Sequence, residues 1–245
     1  LLVSSAASDV YKRQDLLHST SKYAVKNYKF SKKPLAIDIG SNDGTLLEGF
    51  KNQGFKVLGV EPTNIAKLAN KKGIKTIQKF FDNKTTRLIK KKYQKVDVIT
   101  GTNIFAHINK LDSLMNGVKS LIDSKNGIFI TESHYAVNIL DEMQFDSIYH
   151  EHLRFYLLKP LIYLLNKYGF KVIDASRIPN YAGSIRVTAT LNKNIKPKTN
   201  VKKIIDQEKK RGFYSEKKYK QYAKKVISVR KNLSCLLYTS DAADD

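Results

Sequence analysis

The sequence contains almost no cysteine and no long apolar run. Cys235 is the only cysteine among 245 residues, and it lies in a C-terminal stretch whose composition differs from the rest. Residues 15–234 therefore have no thiol for a disulfide, a cysteine zinc site or a cysteine nucleophile. The longest apolar runs, such as Leu161 to Leu165, fall far short of the roughly 20 residues that a transmembrane helix needs. The sequence therefore predicts no membrane span.

Arginine is scarce although the chain is strongly basic. The net charge of +22 comes from 37 lysines but only 7 arginines. Because arginine is the residue that reads guanine edges and binds phosphate through paired hydrogen bonds, its scarcity disfavours a nucleic-acid partner. General surface basicity, of the kind an AT-rich genome produces, is the simpler interpretation. A patch that binds a polyanion is the alternative, and a nucleotide-bearing small substrate would also benefit from a positive field.

The two ends of the sequence differ in composition from the middle. Residues 1–14 and 235–245 are rich in Ser, Ala and Asp and resemble translated sequencing-adapter sequence. We expect both to be non-native tails, with naturally disordered termini as the alternative. The rest divides into a domain at 15–192 and a lysine-rich helical segment at 193–234, which we expect to begin a truncated C-terminal substrate-binding domain. Because no signal peptide is visible, we expect a cytoplasmic location.

Short apolar runs alternate with helical patterns from Leu35 onward, which is typical of a parallel α/β sheet with helices on both faces. The first five strands along the chain are predicted at 35–39, 56–60, 74–77, 96–101 and 127–132. The helices predicted between or after them are 45–52, 64–72, 84–91, 111–122 and 161–168. Two closing strands, 171–176 and 184–191, predict an antiparallel hairpin at the sheet edge. The pattern indicates a doubly wound, Rossmann-like sheet of seven strands.

A glycine-containing loop connects the first strand to the first helix. Its glycines let the backbone approach a ligand, and the helix that follows offers free N–H groups. Three residues separate the two glycines, so the dinucleotide fingerprint G-x-G-x-x-G is not matched. The acidic residue before the loop favours a ligand with a cationic aminoacyl group, and a tight structural turn is the alternative. The predicted cofactor-binding residues are Asp38, Gly40, Asn42, Asp43 and Gly44.

Two further predicted strands end in polar residues. Glu61 ends the second strand, where doubly wound folds place a carboxylate that accepts hydrogen bonds from ribose hydroxyls. Asn103 and His107 follow the fourth strand, at the carboxyl edge where open α/β folds bind ligands. We expect Glu61 and Asn103 to contact a nucleoside-bearing cofactor and His107 to face the reacting centre. An unliganded carboxylate and a surface or capping histidine are the alternatives.

A dense group of polar and aromatic residues, Tyr149-His150-Glu151-His152, follows the fifth strand and therefore lies on the same edge. An imidazole titrates near neutral pH, as proton abstraction from carbon requires, and an adjacent glutamate can orient it. A tyrosine hydroxyl can hydrogen-bond a developing enolate oxygen. His107 and His134 add further metal-binding atoms, but H-E-H lacks the spacing of H-E-x-x-H, so we predict no metal. A purely structural loop is the remaining alternative.

Taken in order, these segments resemble the nucleotide-sugar C-methyltransferases. The resemblance covers about Leu35 to Leu191. The matching segments are 38–44, 60–62, 103–108, 145–152 and 183–186. It implies a class I methyltransferase fold, S-adenosylmethionine as the methyl donor, and methylation of a carbon in a nucleotide-linked 4-keto-deoxysugar. The alternatives are a methyltransferase for nucleic acid or another small molecule, and an inactive fragment that only binds the cofactor.

The resemblance also implies residue roles. His152 would remove the proton beside the sugar ketone to give an enolate. Residues implied to line the active site with it are Tyr149, Glu151 and His107. Asp38, Gly40 and Glu61 would hold S-adenosylmethionine. The expected contacts to the substrate are Ser184, Arg186 and His150.

The chain departs from the family in three respects. Family members carry an N-terminal zinc-binding cysteine module and a complete C-terminal domain, and we expect this fragment to lack the first and most of the second. The third difference is local: Tyr181-Ala182-Gly183-Ser184 stands where the family usually has His-Gly-Gly-Ser. This difference is expected to alter contacts to the substrate.

Overall fold

A computed structural model describes residues 18–241 of the chain. The described part of helix α1 covers residues 18–27. The strands are β1 (Leu35–Ile39), β2 (Lys56–Val60), β3 (Thr76–Ile77), β4 (Val98–Thr102), β5 (Ile128–His134), β6 (Lys171–Ile178) and β7 (Ser184–Thr190). The further helices are α2 (Thr45–Asn52), α3 (Ala66–Lys71), α4 (Asn83–Lys92), α5 (Leu111–Leu121), α6 (Ala136–Asp141), α7 (Leu158–Lys167), α8 (Thr199–Lys210) and α9 (Glu216–Asp241). Short 3₁₀ turns lie at Phe145–Ser147 and Asn180–Ala182.

The strands form one seven-stranded sheet in the order β3-β2-β1-β4-β5-β7-β6. The first five strands in sequence are parallel, whereas β7 is antiparallel to both β5 and β6. The predicted doubly wound sheet with an antiparallel edge hairpin is therefore confirmed. The strand order reverses between β1 and β4, which leaves a crevice at the carboxyl ends of these strands.

Strand β5 is longer than the sequence pattern predicts. The prediction ends it at residue 132, but the strand continues to His134. Pairing with β7 explains the difference, because the antiparallel register continues through Ser133↔Ile185 and His134↔Ser184. An apolar pattern alone misses these two residues. The extension places an imidazole at the carboxyl edge of the sheet.

The two faces of the sheet differ in polarity. One face is apolar, with Ile37, Ile99 and Phe129 in the larger hydrophobic core. On the opposite face, apolar residues such as Ala36 and Val98 give way to polar ones toward the carboxyl ends. The buried polar residues of the central and edge strands on that face are Asp38, Thr100, Glu132, Arg186 and Thr188. Successive side chains of a strand point to opposite faces of the sheet, so each strand contributes to both the apolar core and the polar face.

A buried ion pair joins β5 to β7 beneath α1. Arg186 Nε lies 2.7 Å from Glu132 Oε1, and both side chains are less than one tenth exposed. Thr20 Oγ1 donates to Glu132 Oε1 (2.7 Å), and Arg186 Nη2 donates to Ser19 Oγ (2.8 Å). Asn180 Nδ2 donates to the second oxygen of Glu132 (3.2 Å). Because buried charges are stable only when they are paired and hydrogen-bonded, this network fixes α1 on the sheet.

The C-terminal helices pack on the same domain. The buried residues Val201 and Ile204 of α8 belong to the larger core, and Lys198 N donates to Ile173 O of β6 (2.8 Å). The sequence predicts a non-native tail from residue 235 onward. Helix α9 continues past this residue to Asp241, so the first seven residues of the predicted tail are helical. The predicted tail at 1–14 lies outside the described residues, as do residues 242–245. In the described part, no helix is both long and apolar enough to cross a membrane.

Replacing Arg186 with methionine should destabilise the fold strongly. The variant leaves the Glu132 carboxylate buried without its cation, which costs about 3–5 kcal/mol when a buried pair is broken. Urea unfolding followed by circular dichroism measures this loss. The matched control is Arg87→Met, because Arg87 is exposed on α4. Equal unfolding midpoints for the two variants would contradict the assigned role of the ion pair.

Candidate active site

The glycine-containing loop turns sharply across the carboxyl ends of β1 and β2. Gly40 and Gly44 have φ values of 70° and 82°, and Asn42 also lies in the left-handed region at 52°. The amide of Gly40 donates to Val60 O at the end of β2 (2.8 Å). Glycine adopts this backbone conformation without the steric cost that a Cβ adds. The loop therefore passes directly from β1 to the N-terminus of α2 and presents its backbone to the crevice.

Asp38 is a buried carboxylate beneath this loop. Its side chain is 2% exposed, and Oδ1 accepts a hydrogen bond from Thr100 Oγ1 (2.7 Å). Burial raises the pKa of Asp38 to about 7; the hydrogen bond from Thr100 opposes this shift, and the carboxylates of Glu132 and Glu61 add to it. A cationic ligand group beside Asp38 would favour its charged form. The site is thus suited to a ligand that carries a positive charge.

Glu61 connects the loops that follow β1 and β2. Its side chain is 7% exposed. Oε2 accepts a hydrogen bond from Asn42 N (3.1 Å), and Oε1 accepts one from Thr63 N (2.9 Å). Each carboxylate oxygen has a second lone pair, so Glu61 can also accept hydrogen bonds from two ligand hydroxyls.

Two buried polar atoms near the crevice have no hydrogen-bond partner in the described part of the chain. They are Ser41 Oγ and Asn103 Oδ1. Asn103 has a φ of 56°, and its amide donates to Glu132 O (2.8 Å), so its backbone is held at the end of β4. Buried polar atoms are almost always hydrogen-bonded in folded proteins. Unpaired atoms at this edge therefore indicate a place for a polar ligand.

Asp43 has a local structural role in addition to its predicted one. Its Oδ1 accepts hydrogen bonds from Thr45 N (3.2 Å) and Thr45 Oγ1 (2.7 Å) at the start of α2. Its Oδ2 pairs with Lys72 Nζ (2.7 Å). The side chain of Asn42 is exposed and accepts the amide of Asp43 (2.8 Å). Binding of a cofactor by Asn42 and Asp43 stays a prediction.

A second group of side chains surrounds His152. Its Nδ1 lies 2.9 Å from Ser147 O, and its Nε2 lies 3.2 Å from Tyr149 Oη. A carbonyl oxygen can only accept, so Nδ1 donates to Ser147 O, and the lone pair of Nε2 in this tautomer accepts from Tyr149 Oη. Nε2 is therefore the basic atom. The sequence interpretation assigned the orienting role to Glu151, whereas the structure shows this hydrogen bond with the backbone carbonyl of Ser147.

Two other imidazoles lie beside His152. The ring centroid of His107 is 4.9 Å away and that of His134 is 5.2 Å away. Burial lowers the pKa of His134, and the neighbouring rings of His152 and His107 lower it further. His134 is therefore neutral near pH 7. Sequence reasoning treated His134 only as a possible metal ligand, because the predicted fifth strand ended before it.

The segment with His152 is joined to the segment that follows β4. Leu153 N donates to Ala106 O (2.9 Å), and His107 N donates to Ile104 O (3.1 Å). His107, His150 and Glu151 are exposed, and the rings of Tyr149 and His150 are 5.9 Å apart. Roles for His150 and Glu151 stay predictions. Within residues 18–241, no group of three or more His, Cys, Asp or Glu side chains could hold a metal ion.

The predicted substrate ligands on β7 are buried in the protein. Ser184 is fully buried, and its Oγ donates to Asn180 O (2.9 Å). Arg186 is 5% exposed and forms the ion pair with Glu132. The structure thus gives both side chains partners within the protein. Their contact with a substrate stays a prediction.

Comparison with known families gives two matches that together cover most of the chain. Residues 12–175 match the family described as "Methyltransferase domain", and residues 179–245 match the "C-methyltransferase C-terminal domain". C-methyltransferase NovU of Streptomyces niveus is 32% identical over 200 residues, which are 80% of this chain and 47% of that protein. The chain thus spans about half the length of this relative. The second family match begins within the domain predicted at 15–192.

Solved structures with a similar fold include methyltransferases. Magnesium protoporphyrin IX methyltransferase (ChlM) from Synechocystis PCC 6803, with bound SAH, has a TM-score of 0.56 at 14% identity, covering 74% of this chain and 84% of that one. The 1,6-didemethyltoxoflavin-N1-methyltransferase from Burkholderia thailandensis has a TM-score of 0.54 at 18% identity, covering 77% and 84% respectively. Identities this low support the fold alone.

Replacing Asp38 with asparagine should stabilise the ligand-free protein above pH 7. The pKa of about 7 exceeds the ordinary value of 3.8. Between these values the folded state holds the proton more tightly than the unfolded chain, so stability falls as pH rises. Asparagine keeps an acceptor for Thr100 without a charge, and the free energy of unfolding at pH 8 should rise by about 2–4 kcal/mol.

Urea unfolding of both proteins from pH 4 to pH 8 measures this difference. The advantage of the variant should shrink toward pH 4, where the wild-type carboxyl is protonated in the folded state. The control Asp206→Asn lies on an exposed position of α8 and should show no such trend. An advantage of Asp38→Asn that stays constant over the whole pH range would argue against a buried charge at this position.

Proposed function

We propose that this chain, which belongs to the S-adenosylmethionine-dependent C-methyltransferases, acts on a nucleotide-linked 4-keto-deoxysugar. The methyl group is transferred to a carbon of this sugar. The observation that carries the proposal is the geometry of His152. Its Nδ1 donates to Ser147 O, and the lone pair of its Nε2 is directed to the Tyr149 hydroxyl. Such a base is needed for transfer to carbon but not for transfer to an amine.

The residues of the crevice fit S-adenosylmethionine. When bound, this cofactor supplies an electrophilic methyl group on a positively charged sulfur. Asp38 would face the cationic aminoacyl part, and Glu61 would accept hydrogen bonds from the ribose hydroxyls. The unpaired Oδ1 of Asn103 and Oγ of Ser41 offer further polar contacts at the same edge. The positive φ of Gly40 lets the backbone approach the ligand closely.

The side chains around His152 support a carbon nucleophile. A C–H bond beside a ketone provides one only after its proton has been removed, and His152 Nε2 accepts that proton. The hydrogen bond from Nδ1 to Ser147 O then stabilises the imidazolium. The electron pair on the substrate carbon is shared with the ketone oxygen, to which the Tyr149 hydroxyl can donate. S-adenosylmethionine, when bound, would supply the methyl group that this carbon takes up.

A methyltransferase that acts on nucleic acid is a second candidate, favoured by the net charge of +22. Binding that depends on phosphate contacts weakens steeply as salt rises, so the logarithm of RNA affinity should fall linearly with the logarithm of salt concentration. Absence of retention on heparin would count against this candidate.

A location in the cytoplasm fits the sugar-nucleotide proposal, because nucleotide sugars are water-soluble metabolites.

Replacing His152 with asparagine should abolish methyl transfer while cofactor binding survives. Loss of a general base lowers the rate by roughly 10²–10⁴-fold. Cofactor binding should survive because Asp38 lies on β1 and Glu61 directly follows β2, outside the loop that carries His152. Mass spectrometry measures conversion of a 4-keto-deoxysugar nucleotide to a methylated product, with enzyme expressed from the complete gene. Calorimetry with S-adenosylmethionine measures binding. A fully active variant would remove His152 as the base, and a wild-type enzyme that binds the cofactor but rejects all such sugars would overturn the substrate proposal.

Tyr149→Phe tests the hydroxyl beside the base. Removal of one preorganised donor to a developing oxyanion costs roughly 10²–10³-fold in kcat. Tyr163→Phe on α7 is the matched control, because Tyr163 is 77% exposed and should tolerate the same change. If both variants retain the wild-type kcat, Tyr149 has no role in stabilising the enolate.

Cofactor affinity should depend on the ionisation of Asp38. A cationic ligand binds the carboxylate form, and the pKa of Asp38 is about 7 in the free protein. The affinity for S-adenosylmethionine should therefore be constant above pH 7 and fall by up to about tenfold per pH unit below it. Calorimetry between pH 5.5 and pH 8.5 checks this. In Asp38→Asn the affinity should be low at every pH, and a pH-dependent profile that persists in this variant would exclude Asp38 as the titrating group.

A further inference from the structure

We propose that Glu208, in the C-terminal helix α8, positions the segment that carries His152. Glu208 is 1% exposed, which is unusual for a glutamate and requires that its carboxylate be hydrogen-bonded. The proposal rests on the proposed function only in taking His152 as the base. Glu208 itself acts through its neighbours and does not touch the reacting atoms.

Three donors surround the Glu208 carboxylate. Oε1 accepts hydrogen bonds from Tyr135 Oη (2.7 Å) and from the backbone amide of Leu158 (2.6 Å). Oε2 accepts one from Tyr214 Oη. Hydrogen bonds to an ionised group are stronger than those between neutral groups, and low exposure excludes competing water. Glu208 therefore fixes the relative position of Tyr135 and Leu158.

These two residues are the ends of the segment that contains the base. Tyr135 follows directly on β5, and Leu158 is the first residue of α7. Residues 136–157 lie between them and include Tyr149 and His152. A parallel bridge pairs Tyr135 with Tyr156, and Ala136 N donates to Tyr156 O (3.0 Å). The segment is thus a closed loop, and the carboxylate of Glu208 joins its two ends.

The bond to Leu158 also completes the start of α7. The first amides of a helix have no partner within the helix. Leu157, at the N-cap, offers no side-chain hydrogen bond. Glu208 supplies an acceptor from another helix, and a negative charge at a helix N-terminus is favourable. Burial raises the pKa of Tyr135, and the charge of Glu208 raises it further, so this hydroxyl remains a donor.

Neighbouring residues of α8 and α9 bind the same part of the molecule. Arg211, which follows α8, forms an ion pair with Asp141 at the end of α6. Lys218 of α9 lies 3.5 Å from the other oxygen of Asp141. Both contacts hold α6, the helix that opens the loop. The C-terminal helices therefore frame the loop from both of its ends.

Amide hydrogen exchange of the 245-residue chain tests the proposal without any substrate. Glu208→Ala removes all three acceptor contacts, and exchange across residues 136–157 should accelerate by roughly tenfold or more. Amides of β1, β2 and β4 should keep their wild-type rates. In Glu208→Gln the amide oxygen can still accept from Tyr135 and Leu158, so its exchange should stay close to wild type. Asp206→Ala, an exposed change on the same helix, is the matched control.

Two results would overturn the proposal. Unchanged exchange in residues 136–157 would show that Glu208 does not hold the loop, and uniform acceleration through the whole sheet would reduce its role to general stability. If Glu208→Ala fails to fold, Tyr135→Phe removes one of the three bonds and should accelerate exchange in the same residues by a smaller factor. Wild-type rates across residues 136–157 in Tyr135→Phe would then contradict the proposal.

Kinetics with the complete enzyme separates this role from the proposed chemistry. Because a displacement of about 1 Å near a reacting group can cost roughly 10²-fold, kcat of Glu208→Ala should fall by that order, with calorimetric affinity for S-adenosylmethionine unchanged. Glu208→Gln should restore most of kcat. If His152→Asn proves fully active, the proposed base is wrong, but the exchange result for residues 136–157 still decides the role of Glu208.

Discussion

The proposed site has two halves, a cofactor side around Asp38 and a base side around His152. Both depend on Glu132. Its side chain forms the buried ion pair with Arg186, and its backbone oxygen accepts the amide of Asn103 at the end of β4. Its charge also contributes to the raised pKa of Asp38. Because Arg186 lies opposite Glu132 in the antiparallel register, the pair fixes β7 on β5. The strand pairing with β7 extends β5 to His134. One buried ion pair therefore helps to position both the cofactor side and the base side.

The polar face of the sheet explains why the two halves have different electrostatics. Asp38 lacks a cationic partner in the described structure, and burial therefore raises its pKa, whereas Arg186 compensates the equally buried Glu132. An uncompensated carboxylate is costly to keep charged in the free protein, and a cationic ligand recovers that cost on binding. Around His152 the contacts of the imidazole are a backbone carbonyl at Nδ1 and the Tyr149 hydroxyl at Nε2. The proposed cofactor side thus offers a buried carboxylate, and the proposed base side offers an imidazole with polar partners at both ring nitrogens.

The sequence predicted what depends on local pattern. The strands β1 and β2, the turn at Gly40 and the carboxylate of Glu61 follow from short-range periodicity and from glycine at a left-handed position, and the structure has them at these residues. The alternation of elements also predicted a doubly wound sheet of seven strands with an antiparallel edge hairpin, and the structure has it. Contacts between distant residues could not be predicted in this way. Arg186 was predicted from the family resemblance to contact the substrate, and local pattern does not show its ion pair with Glu132, which is 54 residues away.

The same limit applies to the base itself. Sequence reasoning identified His152, but the group that orients it is a backbone carbonyl, and a carbonyl is present at every position of the chain. Residues 145–151 are largely exposed and contain only a short 3₁₀ turn, so burial of their own side chains contributes little to holding the base in place. Segments with so few buried contacts open locally at low free energy.

Precise positioning of His152 must therefore come from outside this segment. Leu153 is held by Ala106, and the loop ends are held by the Tyr135–Tyr156 bridge. The carboxylate of Glu208 adds a bond from helix α8, which the sequence interpretation assigned to a separate domain. The domain boundary at residue 193 stays a prediction, and Glu208 contacts the loop across it. The physical unit of the site is the loop together with the helices that close it.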